Sequence, residues 1–107
     1  MIDACGAELI LQERIRQIFK KNYDAAHDDE RADGSLLHAA LLILCDETGH
    51  ALAGVDPPDP NGPWPDALLL HVSEKYAENP VKRFTIAGAL IAAEIDRLQR
   101  EEERSRA

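Results

Sequence analysis

Apolar residues recur at intervals of three and four positions near both ends of the chain, which is the spacing of one face of an α-helix. In residues 3–22 this stripe consists of Leu11, Ile15, Ile18 and Phe19. Asp3 is placed to cap such a helix, and Lys20 and Lys21 suit its negative end. We therefore predict a helix over 3–22, with the stripe facing the core.

A second stripe lies near the end of the chain and consists of Phe84, Ala87, Ile91, Ile95 and Leu98. Proline is favoured at the first position of a helix, so Asn79-Pro80 predicts a start at Pro80. Small residues at 87–89 and 92–93 would let another helix approach closely. We expect this helix to end near Arg100 and the charged tail, residues 100–107, to fray.

The middle of the chain contains two further helical segments. Residues 36–45 are apolar nearly all round, which predicts a central helix capped by Asp33 or Ser35 and stopped by Gly49. Asp66 is placed to cap a segment over 66–78, for which a helix is favoured and a strand is the alternative.

Two connections separate these elements. Residues 23–34 form a polar loop, and residues 50–65 form a proline-rich one that holds five of the six prolines. Proline removes a backbone donor, so the second stretch is predicted to be neither helix nor central strand. The pattern predicts an all-α fold, an irregular bundle of about four helices with a long proline-rich loop, as a single domain over 1–107.

Composition narrows the functional classes. The net charge of −8 argues against binding to nucleic acid or to anionic membranes. Neither a membrane-spanning apolar run nor a signal-peptide pattern is visible in the sequence. We therefore expect a cytoplasmic protein in which Cys5 and Cys45 are reduced, with a structural disulfide as the alternative. A chain of 107 residues has a small core, so we also expect a homo-oligomer.

The segment AAHDDERADGS, residues 25–35, is the first candidate site. Imidazole and carboxylate ligands would suit Mn²⁺, Zn²⁺ or Mg²⁺, and the candidate metal ligands are Glu13, His27, Asp28, Asp29 and Glu94. Glu94 lies on an apolar stripe, where a carboxylate is costly unless it is paired. The alternative is a loop whose acids cap backbone groups, with Glu94 paired to an arginine such as Arg14.

Other residues suggest contacts that do not involve a metal. Arg14 and Arg16 could hold the loop through Asp28 or Asp29, or could belong to a solvated helix face. Trp64, between two prolines, is a lid on the core or a binding anchor. Lys82 and Arg83, at a helix start, could receive an anion or be solvated. We expect His38 and His71 to be packed and His50 to lie in a loop. We assign no chemical role to any of the three.

The segments ERIRQ, AHDDERADGSLLHAA, PWP and KRFTIAGALIAAEIDRL resemble a group of short phage and prophage proteins. Members carry E-R-x-R-Q, H-D-D, W-P and A-G-A-L-I-x-A-E-I-x-R-L motifs. The chain differs from that pattern at Tyr23, Ala26 and Ile86, where tryptophan, an acid and lysine are typical. The resemblance implies an accessory protein of mobile-element origin and supplies no chemistry of its own.

Two functional hypotheses follow. The first is a non-enzymatic module, without a cofactor, that binds a host protein or a small nucleotide through His27, Asp28, Asp29, Trp64 and Arg14. The second is a nucleotide hydrolase in which Glu13, Asp28, Asp29 and Glu94 would hold Mg²⁺ or Mn²⁺ between facing helices. The sequence favours the first, because the central helices lack paired E-x-x-E spacing.

Overall fold

The computed structural model describes residues 5–31, 33–48 and 64–106, except for the side chains of 46–48. These residues form five helices and contain no strand, which confirms the all-α prediction. In chain order the helices are α1 (Gly6–Lys20), α2 (Ala25–Asp29), α3 (Ser35–Thr48), α4 (Trp64–Lys75) and α5 (Pro80–Arg106). Helix α2 falls inside the predicted polar loop. Most of the predicted proline-rich connection, and His50 with it, lies outside the described residues.

Helix α3 lies at the centre of the core, as its continuous apolar sequence predicts. It packs against α5 on one side and α4 on the other. The buried cluster consists of Leu36, Ala39, Ala40, Leu42, Ile43, Leu69, Val72, Ile86, Ala87, Leu90 and Ala93. The many alanines on α5 let α3 approach closely, so a small chain still closes a continuous core.

Local side-chain caps explain most helix starts. Asn79 Oδ1 accepts from the Lys82 N–H at 3.1 Å, and Pro80 is the first residue of α5, as predicted. Asp33 Oδ1 accepts from the Ser35 N–H at 3.1 Å at the start of α3. Asp24 accepts from the His27 N–H at 3.0 Å and starts α2. Helix α1 has Cys5 at its N-cap, whereas the predicted cap, Asp3, lies outside the described residues.

Two boundary predictions are corrected by the structure. Helix α4 begins at Trp64 and includes Pro65, which is tolerated because the first turn of a helix needs no backbone donor there. Helix α5 does not end near Arg100 but continues to Arg106. Ion pairs one turn apart, Arg97–Glu101 and Arg106–Glu102, stabilise this last part of the helix.

The largest correction concerns which faces of α1 and α5 are buried. Most residues of the predicted apolar stripes face outward: Phe19 is 76% exposed and Ile95 is 52% exposed, whereas Ala87 is in the buried core. The polar residues between them face inward, and Glu13 and Gln17 are 3% and 2% exposed. Hydrogen bonds and ion pairs among the buried polar groups, rather than apolar packing, therefore fill much of the contact between α1 and α5.

Candidate functional site

Arg14 connects three elements through one buried guanidinium. Its Nη2 donates to Asp28 Oδ2 at 2.9 Å, and the Asp28 side chain is fully buried. The Arg14 Nη1 atom donates to the Tyr23 carbonyl at 3.1 Å. Its Nη2 atom also donates to Asp96 Oδ2 at 3.3 Å. The predicted ion pair between Arg14 and the 23–34 segment is confirmed. Arg16, the other candidate, pairs with Glu13 instead.

Asp29 attaches the same segment to the far end of α5. Its carboxylate lies 3.0 Å from Arg100 Nη2 and 3.4 Å from Arg104 Nη1. The hydrogen bond from Arg100 is the main cause of a lowered pKa for Asp29, and Arg104 adds to it. Neighbouring aspartates, Asp28 and Asp29, thus hold α2 between α1 and α5.

An aromatic cluster forms where α2 meets the start of α4. The rings of Tyr23 and His27 stack with centroids 4.3 Å apart. Trp64 meets both rings edge-on, at 5.7 and 5.5 Å, and the Arg31 guanidinium lies 4.7 Å from the indole centroid. His27 Nδ1 lies 2.9 Å from Asp28 Oδ1, which orients the imidazole. Trp64 also packs on the core cluster, so it covers the core as the lid prediction requires.

Glu13 is the centre of a second polar cluster. Its oxygens accept from Arg16 Nη2 at 2.8 Å, Lys82 Nζ at 2.9 Å and Gln17 Nε2 at 3.1 Å. Burial acts to raise the pKa of Glu13, but the hydrogen bonds from Arg16 and Lys82 outweigh it and the pKa is lowered. The carboxylate is therefore held ionised in a buried position.

Glu94 pairs with Arg97 on the same helix, not with Arg14. Arg97 also reaches Glu101 Oε2 at 2.7 Å, and the two carboxylates raise its pKa. The paired-carboxylate interpretation of Glu94 holds, with a different arginine from the one proposed.

The predicted anion-binding cations are engaged within the fold. Lys82 contacts Glu13, and the buried Arg83 donates to the Ala77 carbonyl at 3.5 Å. Both side chains therefore make contacts within the protein and do not simply extend into solvent.

The predicted metal ligands occupy separate clusters. Glu13, Asp28, Asp29 and Glu94 each accept from at least one arginine, and the described part of the chain contains no group of three or more metal-ligating side chains. Only His27 and Asp28 contact each other. In this arrangement, arginine guanidinium groups balance the charge of the four carboxylates.

A cavity of about 270 Å³ opens between the Glu13 cluster and the aromatic cluster. Three aromatic side chains contribute to its wall, namely Tyr23, Trp64 and Tyr76, and apolar atoms of α4 form its floor. The volume lies near the lower end of the range for small-molecule sites, about 300–1,000 Å³. A ligand with one planar ring system fits this size and composition.

The electrostatics of the cavity differ from those of the whole chain. Arg16, Lys21 and Lys75 line it against one carboxylate, Glu13, whereas the chain carries a net charge of −8. Lys75 Nζ and Lys82 Nζ lie 5.5 and 5.7 Å from the Tyr76 ring centroid. The cavity is thus a local cationic patch beside aromatic rings.

Gln17 also lines this cavity, although only 2% of the residue is exposed. Its amide nitrogen donates to Glu13, which fixes the orientation of the amide. Its Oε1 atom is buried and accepts no hydrogen bond from any described residue. A buried acceptor without a donor is costly, and because this atom has almost no accessible surface, a ligand would reach it only after the Gln17 side chain moved.

Sequence reasoning found part of this site. It singled out Trp64, and it named Glu13, Arg16 and Gln17 in other roles, but it did not assign Lys21, Lys75 or Tyr76 to a site. The other predicted binding residues, Arg14, His27, Asp28 and Asp29, do not line the cavity. The alternation of lysine and aromatic residues in Lys75-Tyr76 was the available signal. The packing predicted for His38 and His71 is wrong, since both are exposed, and His71 lies at the cavity edge.

Comparison with protein-family models, curated proteins and solved structures gives no match. Cys5 is a free thiol, so no disulfide joins it to Cys45. Within the described residues, none of the helices combines the length and apolar character that crossing a bilayer requires. The geometry of the cavity is therefore the basis for inferring a function.

Proposed function

We propose that this protein is a non-enzymatic binding module whose cavity receives a single small nucleotide. The observation that carries the proposal is a cavity of about 270 Å³ that brings three aromatic rings together with Lys21 and Lys75 in a chain of net charge −8. A nucleobase offers a planar ring for Tyr23 or Trp64. Its phosphate offers negative charge to Lys21 and Lys75.

The surrounding ion pairs support binding rather than turnover. Glu13 and Asp28 are neutralised by Arg16 and Arg14, so neither carboxylate is disposed to accept a proton from water. The resemblance to short phage and prophage proteins agrees with an accessory role, in which sequestering a host nucleotide would be sufficient. A module of this kind acts through affinity and occupancy, and needs no cofactor.

Isothermal titration calorimetry of the full chain with adenosine and guanosine monophosphates tests the proposal. We expect saturable binding by at least one of them and much weaker binding of the matching nucleoside, because the nucleoside lacks the charge for Lys21 and Lys75. Lys75→Gln should weaken binding about fivefold, or roughly 1 kcal/mol. Lys20→Gln is the matched control, since exposed Lys20 does not line the cavity.

Absence of binding by every nucleotide would overturn the proposal. Release of phosphate or nucleoside on prolonged incubation would overturn its non-enzymatic part.

A further inference from the structure

The open edge of the cavity differs chemically from its floor. Helix α4 lines the cavity with two rows of residues, and in each row the residues are four positions apart, so neighbours in a row adjoin along the helix. The inner row is Trp64, Leu68, Val72 and Tyr76, and the outer row is Ala67, His71 and Lys75. The inner row is apolar and aromatic and is at least partly buried, whereas the outer row is exposed. A ligand lying along α4 therefore meets rings on its inner side and basic groups on its outer side.

A second helix adds a cation to this open edge. Lys21, at the end of α1, lines the same cavity and is exposed. We call Lys21, His71 and Lys75 the mouth of the cavity. Because α1 packs against α5 and α4 packs against α3, the mouth contains basic groups from two separately packed parts of the fold.

The lysines of the mouth are available to a ligand. Within the residues that the structure describes, neither Lys21 nor Lys75 makes an ion pair, and Lys75 Nζ lies 5.5 Å from the ring centroid of Tyr76 at the cavity wall. Glu13, the one carboxylate among the described lining residues, is buried and already paired with Arg16. A ligand anion is therefore favoured at the mouth rather than at the buried end.

We propose that the ligand of this cavity ends in a phosphomonoester, which Lys21, His71 and Lys75 bind at the mouth. This rests on the nucleotide-binding function proposed above and specifies which kind of phosphate the site takes. A monoester carries a charge of about −1.5 to −2 at pH 7 and presents three acceptor oxygens, one for each group of the mouth. The lysines supply charge, and an imidazole has an N–H donor even when it is neutral. A phosphodiester has a single charge and two free oxygens, so it would leave one of the three groups without a partner.

Calorimetric titration of the full chain at pH 7.5 tests the proposal with two ligands that differ in one group. They are adenosine or guanosine monophosphate, whichever binds more tightly, and the methyl ester of the same nucleotide, in which one phosphate oxygen is blocked. We expect the monoester to bind about fivefold more tightly, because the methyl ester lacks one charge and one free oxygen. Added salt should reduce this preference, since the charges of the mouth are exposed and are screened.

Two failures of this experiment are distinguishable. Equal affinity for the monoester and its methyl ester would overturn the phosphomonoester assignment and leave the nucleotide-binding function standing. Absence of binding by both ligands would overturn the nucleotide-binding function, and the assignment with it.

Substitutions test whether the mouth is the cause of the preference. Lys21→Gln and His71→Leu should each weaken binding of the monoester about threefold and weaken binding of the methyl ester less. Both residues are exposed, so circular dichroism should show the helix content of the parent chain. His38→Leu is the matched control for His71, because His38 is also exposed but does not line this cavity, and it should change neither affinity. An unchanged preference in both variants, or an equal loss for the two ligands, would overturn the role of the mouth.

Discussion

Arg14 and Asp28 form a buried ion pair that joins α1 to α2, with the guanidinium Nη2 2.9 Å from the carboxylate oxygen. The Asp28 side chain is fully buried, so its charge depends on this partner and on His27. Arg14 has two further acceptors, the Tyr23 carbonyl and Asp96. Asp28 therefore depends more on Arg14 than Arg14 depends on Asp28.

Arg14→Met should be strongly destabilising, because it leaves the Asp28 carboxylate buried without its cation. Breaking a buried pair in this way costs roughly 3–5 kcal/mol. Asp28→Asn should cost less, since Arg14 keeps its other acceptors. Urea denaturation measures both changes. Arg104→Met, which removes an exposed cation from Asp29, is the control and should leave the unfolding midpoint unchanged. Equal loss in all three variants would contradict the role assigned to Arg14.

Acid should destabilise the protein through Glu13. Its folded-state pKa lies below the ordinary value of 4.5, so the unfolded chain takes up a proton at a higher pH than the folded one. The stabilisation is complete above about pH 4.5 and is lost as the pH falls from there through the folded-state pKa. Stability measured across this range should fall less steeply for Glu13→Gln. An unchanged slope would show that other carboxylates dominate the acid response.

Gly88→Ala should be destabilising, by about 1 kcal/mol, although alanine favours helix over glycine by a similar amount. The added Cβ would lie 2.7 Å from Ile10 Cδ1 and 2.9 Å from Cγ1, so the Ile10 side chain must change its conformation or α1 must move away. In an Ile10→Ala background the clash is absent and the same substitution should become stabilising. A thermal-denaturation double-mutant cycle measures the coupling, and additive effects would argue against a close contact.

Divalent cations should leave the melting temperature unchanged. The candidate ligands Glu13, Asp28, Asp29 and Glu94 are each occupied by an arginine, and an ion would have to displace these partners. Differential scanning fluorimetry with Mg²⁺ and Mn²⁺ measures this directly. A rise in melting temperature that Glu94→Ala abolishes would restore the hydrolase hypothesis.

Features set by neighbouring residues were predictable from the sequence. The starts at Asn79-Pro80 and Asp33-Gly34-Ser35 depend on caps within a few positions, and the buried α3 follows from its continuous apolar run. The Arg14–Asp28 pair was also anticipated, because only 14 positions separate its members along the chain.

The orientation of α1 and α5 could not be predicted from periodicity. A helical repeat identifies an apolar face, but it does not say whether that face meets the chain's own core or another surface. The burial of Glu13 and Gln17 depends instead on partners such as Lys82, 69 positions away from Glu13. The cavity could not be predicted for the same reason, because its wall consists of residues from α1, α4 and α5.

Trp64 is the single tryptophan of the chain, and it lies where the core, the aromatic cluster and the cavity meet. All indole emission therefore originates at one place. Unfolding would expose the ring to water and shift the emission to longer wavelength, whereas an occupant of the cavity would change its intensity through contact with the ring. The native protein thus carries an internal optical probe that distinguishes these two events without a label.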